Sequence, residues 1–535
     1  MPIKYKSTRG KQHGLSFEEV VLAGLATDKG LYIPETIPNF SKAEIEKMRP
    51  MTFPELAFTV ISRFVQADDI PAHTLRQIVH KSYATFRNPD ITPTIKLRDF
   101  WVLELFHGPT MSFNDIGMQF LGNVLEFFLQ RGRVQRSITI LGATSGDTGS
   151  AAIHGLRGKA NVECFIMFPT GKVTEIQERQ MTTIGDPNVR CIGVEGDFDD
   201  CQALVKAAFA DPVFRDEVKL GAINSINWAR VLAQITYYFY SYLRVTDGGE
   251  PGTPVPVSYA VPTGNFGDIL AGYFAKRMGL NVGKLVICTN ENDVLRRFLQ
   301  TGVYDKKPAL LTVAPSMDIS VSSNFERYLY FLAGEDGATL HAWMETFEAT
   351  GQLTVPPSAL RQARSDFSSF TADKALIVHT MAQVYKSENY LLCPHTATAA
   401  AAIERREEPS NPLGLGASIP VVLATAHPAK FEEAVALAVA KAGLEPPPRP
   451  PVLQELFGQP TRKVELPNDL PQVQAYIRAQ LAPSLYSRLP PLPSLPALDL
   501  TFLGVEGTVG TALAWTSVAA VAAAAGLIVA RLVRK

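Results

Sequence analysis

The hydrophobic pattern changes period near residue 91. Before it, 15–38 spaces its apolar residues as one helical face and closes that face with glycine and then proline, so residues 1–90 are predicted to be a small helical domain. From Ile91 onward, short apolar and β-branched runs alternate with helical patterns. Runs at 100–106, 137–141, 163–168, 189–194, 257–261 and 284–288 are predicted strands, and a helix begins at Ala151. Helical patterns at 199–210, 231–243 and 269–278 separate most of these runs. The alternation predicts an α/β fold, a mainly parallel sheet covered on both faces over residues 91–480. Ligands of such sheets sit beyond the carboxyl ends of the strands.

Three turns occupy that kind of position. The first, 108–115, follows the run at 100–106 and the Gly108-Pro109 stop. Beyond its Asn114, a helical face is formed by Ile116, Phe120, Leu121, Val124, Phe127 and Phe128. The second, 144–150, is Thr-Ser-Gly-Asp-Thr-Gly-Ser, whose small residues let successive backbone amides converge on an anion at a helix start. The third, Gly264, Asn265, Phe266, Gly267 and Asp268, leads straight into a helix whose first amides suit a phosphate without any lysine. Each pattern alone also describes an ordinary strand-to-helix turn with no ligand.

Later in the chain proline takes over. The run of prolines in 481–498 reads as semi-extended, and 481–506 is predicted to be a linker. Residues 507–530 then carry no charge, over a length close to the roughly 20 apolar residues that cross a bilayer. Two readings stand: an Ala-rich helix packed on the core, or a C-terminal membrane anchor that leaves the rest facing the cytoplasm. The position after the linker and before the basic RLVRK end favours the anchor.

Composition narrows the field further. With 535 residues, two or more domains are expected. A net charge of −1 and no basic stripe give no basis for nucleic-acid binding. The five scattered cysteines show no CxxC spacing, which fits free thiols better than a disulfide framework or a metal site. The polar, basic N-terminus lacks the apolar run of a secretory signal.

The sequence HGPT-x-x-F-x-D at 107–115, with the helix after it, resembles the cofactor-lysine loop of threonine synthase. YKSTRG, SFEE and D-x-G-L-Y-x-P resemble the family's N-terminal domain, and further segments match in order over roughly residues 3–480. The resemblance is to the larger fungal and enterobacterial type. It implies the tryptophan-synthase-β-like pyridoxal-phosphate fold (fold type II) and the conversion of O-phospho-L-homoserine and water to threonine and phosphate. It also implies a site. The third turn would hold the cofactor phosphate, and Thr396 of PHTA would face the pyridine nitrogen, although Cys393 stands where the family usually has Asp. Ser145, Gly146, Asp147 and Thr148 would take the substrate carboxylate, Lys172 and Arg230 its phosphate, with Ser322, Ser323 and Asn324 on the substrate side. For Lys172 and Arg230 a solvated or structural cation is an equal alternative. His395 and His427 read as structural hydrogen-bonders more readily than as bases.

One position departs in kind. Where the family has its Schiff-base lysine, this chain has Asn114. An amide is neither nucleophilic nor titratable, so any pyridoxal phosphate is expected to be held non-covalently. Lys96 and Lys159 lie outside the turn on either side. Three readings follow: a silent, membrane-tethered family member that binds cofactor or phosphorylated amino acids; a slower or different reaction; or a one-base or engineered change in an active enzyme.

Overall fold

The computed structural model describes residues 3–131, 137–221, 223–247, 255–409 and 412–486. The N-terminal segment holds the predicted helix, Phe17–Ala23. Ser16 and Glu19 cap its start reciprocally, and Gly24 at φ +69° ends it. The helices Lys42–Lys47, Phe53–Ile61 and Ala72–Tyr83 follow. The segment is not wholly helical, since Tyr5–Ser7 pairs antiparallel with Tyr32–Pro34. Three-residue strands are too short to show a period of two, which is why the pattern missed them.

The predicted parallel strands are present, but they sort into two sheets rather than one. The six-stranded sheet runs Phe367–Thr371, Val282–Thr289, Val257–Pro262, Ile419–Ala424, Trp101–Glu104, Thr94–Lys96, parallel except for the last pair. The five-stranded sheet runs Val464–Leu466, Val189–Val194, Val162–Pro169, Ile138–Ala143, Leu220–Gly221 and is parallel throughout. An apolar run marks a buried strand but not its partner, so the chain's departure to the second sheet and its return left no trace in the pattern.

Two helices form the centre of the core. In Trp228–Val245 every residue except Arg244 is buried, as expected of a helix surrounded on all sides. Asn114–Arg131 packs against it, against Ala72–Tyr83 and against Asp147–Leu156. The predicted face of Ile116, Phe120, Leu121, Val124 and Phe128 is buried, with Phe127 at its margin.

The chain divides into two compact units, Met1–Arg478 and Ala479–Lys535. Of the second, the structure describes only the end of the helix Leu470–Tyr486. The predicted linker therefore begins inside a helix. A single proline such as Pro483 removes one backbone donor, which a helix already three turns long tolerates. The rest of the linker and the apolar segment 507–530 lie outside the described residues. Among the described residues no helix is long and apolar enough to cross a membrane.

The crossing of Asn114–Arg131 with Asp147–Leu156 fixes the first turn relative to the second. A Cβ on Gly122 would stand 2.0 Å from the carbonyl oxygen of Gly155. Because both atoms sit on rigid helices, relief requires the helices to part. Gly122→Ala is expected to destabilise the protein by about 1–3 kcal/mol, the range for overpacked cores. Chemical denaturation checks this, and an unchanged midpoint would show that the crossing is loose.

Candidate active site

The first turn is bound from two sides. Asp115 accepts from the Thr110 amide and hydroxyl, each at 2.8 Å. Burial, opposed by those bonds, pushes its carboxyl up to about 6. The Phe113 amide donates to the carbonyl of Thr425 at 2.8 Å, and the His427 amide donates to that of Met111 at 3.1 Å. The segment 425–427 therefore fixes the loop that presents Asn114.

Asn114 is the first residue of its helix and is buried. Its Nδ2 donates to Ser112 Oγ at 2.9 Å, and its Oδ1 accepts from Arg230 Nη2 at 2.7 Å. Both functions of the amide are engaged. Arg230 is 3% exposed, and its Nε and Nη1 have no partner among the described residues. Burial pulls its pKa down to about 10. A buried guanidinium with two idle donors is costly unless an anion fills them. Burial removes the solvated alternative for Arg230 and leaves the anion-binding and structural ones.

Arg230, Gln234, Tyr237 and Tyr238 recur on one face of Trp228–Val245, which links Arg230 to the third turn. Tyr237 and Tyr238 donate to Asp268 Oδ1 at 2.5 and 2.9 Å. Burial, opposed by these two donors, raises the Asp268 carboxyl to about 7. Phe266 adopts a left-handed conformation at φ +65° just ahead of the helix Gly267–Arg277. Asn324 braces the turn, its amide and Nδ2 donating to the carbonyl of Asn265 at 3.0 and 3.1 Å. Ser322 Oγ donates to the carbonyl of Gly264 at 2.7 Å, and Ser323 Oγ lies 3.0 Å from Ser225 Oγ. Ser322 and Asn324 therefore hold the third turn directly, where the sequence placed them on the substrate side.

In the second turn Gly146 takes φ +135°, a conformation side chains avoid, and a Cβ there would collide with Gln177 at 2.3 Å. Thr144 Oγ1 accepts from the Gly146 and Gly149 amides at 2.9 and 2.8 Å. Among the described residues no acceptor takes the amides of Ser145, Asp147 or Thr148. The Asp147 side chain is buried and receives Gln177 Nε2 at 2.9 Å. Lys172 is exposed in the bend after Val162–Pro169 and is not joined to this group by any side-chain bond.

Thr396 is fully buried near the start of the helix Pro394–Glu404. Cys393 Sγ caps that helix, 3.0 Å from Thr396 Oγ1, and burial raises its thiol pKa. His395 Nε2 accepts the Ser316 amide at 3.1 Å, and burial lowers its pKa to about 4. His427 Nδ1 accepts the Ala429 amide at 3.2 Å, and burial lowers its pKa to about 4 as well. Both histidines are neutral hydrogen-bonders.

The lysine most deeply placed in this region is one the sequence reading passed over. Lys430 is 0% exposed, with Nζ 2.6 Å from Asp147 Oδ1 and 2.8 Å from the carbonyl of Thr110. It stands three residues after His427, the one residue of that stretch singled out from the sequence. Lys159 is paired with Asn123 and Glu126, and Lys96 lies 4.9 Å over the Trp101 ring.

Comparison with known proteins agrees with this geometry. Residues 4–83 match the model of the threonine synthase N terminus, 86–414 that of pyridoxal-phosphate dependent enzymes, and 396–477 that of the threonine synthase C-terminal region. A threonine synthase of Schizosaccharomyces pombe is 48% identical over 465 residues, covering 82% of this chain and 89% of its own. The crystal structure of threonine synthase from yeast aligns with a TM-score of 0.84 at 41% identity, over 90% of this chain and 99% of that one. The pyridoxal-phosphate-bound threonine synthase from Brucella melitensis gives a TM-score of 0.82 at 42% identity, over 89% and 99% of the two chains. The chain belongs to the threonine synthase family of pyridoxal-phosphate-dependent enzymes.

Proposed function

We propose that this site binds pyridoxal phosphate and O-phospho-L-homoserine non-covalently, and that Asn114 holds conversion to threonine and phosphate far below the rate of a lysine-bearing site. The observation that carries this is the Asn114 amide, locked between Ser112 and Arg230 at the head of its helix. The residues present fit the cofactor. The third turn, 264–268, offers a helix start to its phosphate, and Arg230 offers two idle donors to an anion nearby. The Cys393 thiol, kept neutral by burial, can donate to Thr396 Oγ1 and so free the Thr396 proton for the pyridine nitrogen. Bound pyridoxal phosphate supplies the electron sink for reaction at the substrate α-carbon. Ser145, Asp147 and Thr148 offer amides to the substrate carboxylate, and Arg230 offers its guanidinium to the substrate phosphate. At the position of the family's lysine, Asn114 cannot move the α-proton, a loss worth about 10²–10⁴-fold by itself.

We further read the apolar segment 507–530 as a membrane tether, on the strength of its uncharged length and the proline-rich stretch before it. The substrate site would then face the cytoplasm.

Asn114→Lys is expected to turn yellow with added pyridoxal phosphate and to release phosphate from O-phospho-L-homoserine. The unmodified chain should bind both ligands with turnover lower by at least about 10²-fold. Equal turnover by the two proteins would refute the role given to Asn114. A lysine variant that binds cofactor yet stays inert would make the chain a binding protein.

Gly267→Leu tests the phosphate turn. A Cβ there already meets Asn324 Nδ2 at 3.3 Å, so a longer side chain displaces the residue that braces Asn265. Cofactor affinity measured by absorbance titration should fall at least about tenfold, or about 1.4 kcal/mol, with little change in the unfolding midpoint. Undiminished affinity would put the phosphate elsewhere.

For the tether, a chain ending before Glu506 should move from the membrane fraction to the soluble fraction. Full-length protein that is soluble without detergent would contradict it.

A further inference from the structure

The second turn poses an electrostatic problem. It offers the free amides of Ser145, Asp147 and Thr148 at the start of the helix Asp147–Leu156, yet it also carries the buried Asp147 carboxylate. Left alone, that charge would oppose any anion the amides attract, and a low-dielectric surrounding would strengthen the opposition. The answer lies on a distant part of the chain. Lys430, wholly buried, places Nζ 2.6 Å from Asp147 Oδ1, and Gln177 Nε2 donates to the same oxygen at 2.9 Å. The same ammonium donates to the carbonyl of Thr110, which also receives Gln180 Nε2 at 2.9 Å. Burial works to raise the Asp147 pKa, but Lys430 and Gln177 outweigh it and hold the carboxyl below its ordinary range.

We propose that Lys430 is a positioning residue for the substrate: it neutralises Asp147 so that the second turn can accept a carboxylate, and it ties that turn to the first turn at Thr110. This rests on the assignment of 144–150 to the substrate carboxylate made above. Lys430 has no exposed surface and is engaged by two acceptors, so it acts through Asp147 and Thr110 rather than by touching the ligand.

The two charges make opposite predictions, which a purely structural ion pair does not. Asp147→Asn removes the opposing charge and leaves the ammonium, so binding of a carboxylate should tighten. Lys430→Met leaves the carboxylate unpaired, so binding should weaken. The double variant removes both and should return near the unmodified value.

The test is calorimetric titration of the cofactor-loaded full chain and its three variants with O-phospho-L-homoserine, and with the same compound carrying a carboxamide in place of its carboxylate. We expect shifts of at least about tenfold in opposite directions for the acid, the size of one buried charge facing an anion. The double variant should fall within about threefold of the unmodified chain, and the carboxamide should change little throughout. Shifts in the same direction, a double variant no better than Lys430→Met, or equal effects on the carboxamide would overturn the proposal. If Lys430→Met does not fold, Asp147→Asn still decides, because weaker binding of the acid by that variant refutes it. An unmodified chain that binds neither compound overturns the ligand assignment itself, a result distinct from these.

Discussion

A buried guanidinium is the constraint around which this site is arranged. Arg230 lies on a helix buried at every position but Arg244, gives one nitrogen to Asn114 and leaves two without a partner among the described residues. Desolvating a cation costs several kcal/mol unless opposite charge or hydrogen bonds offset it. Among the described residues no carboxylate is bonded to it, and its Nε and Nη1 have no partner. The same helix carries Gln234 and the two tyrosines that grip Asp268, so the face that presents Arg230 also positions the third turn.

The other two turns meet through a second buried cation. Lys430 reaches both Asp147 and Thr110, while Asp115 closes the loop that ends at Asn114. Sequence separations of hundreds of residues are thus bridged by a few charged groups whose desolvation demands partners. Satisfied networks of this kind rigidify a site. The N-terminal segment takes part as well. Arg9 and Thr8 bond Glu326 on the helix Phe325–Leu332, which begins one residue after Asn324, the brace of the third turn. That segment thus helps hold the helix next to the third turn.

The strands and the central helix were legible because their apolar runs stand apart from one another in the sequence. The run at 189–194 matches the strand Val189–Val194, and the face beyond Asn114 packs as its period implied. The second and third turns were legible from glycine and hydroxyl residues placed between strand and helix. The division into two sheets was not, because partner choice depends on contacts far along the chain. Nor was Lys430: a lysine in a polar-looking stretch gives no local sign of burial, and only its distance to Asp147 reveals it. Cys393 likewise shows its effect on Thr396 only once both stand at one helix start. Lys172, grouped with Arg230 by sequence, proved exposed while Arg230 proved buried.

Asn114 offers an amide and no amine at the position of the family's lysine, and Lys430 is engaged by Asp147 and Thr110. The most direct measurement is borohydride reduction of the unmodified protein saturated with pyridoxal phosphate, followed by mass analysis of its peptides. The predicted result is that no lysine peptide from the site carries the cofactor mass, while dialysis before reduction removes the bound cofactor. Stoichiometric labelling of Lys430, or of any other lysine within the site, would contradict it.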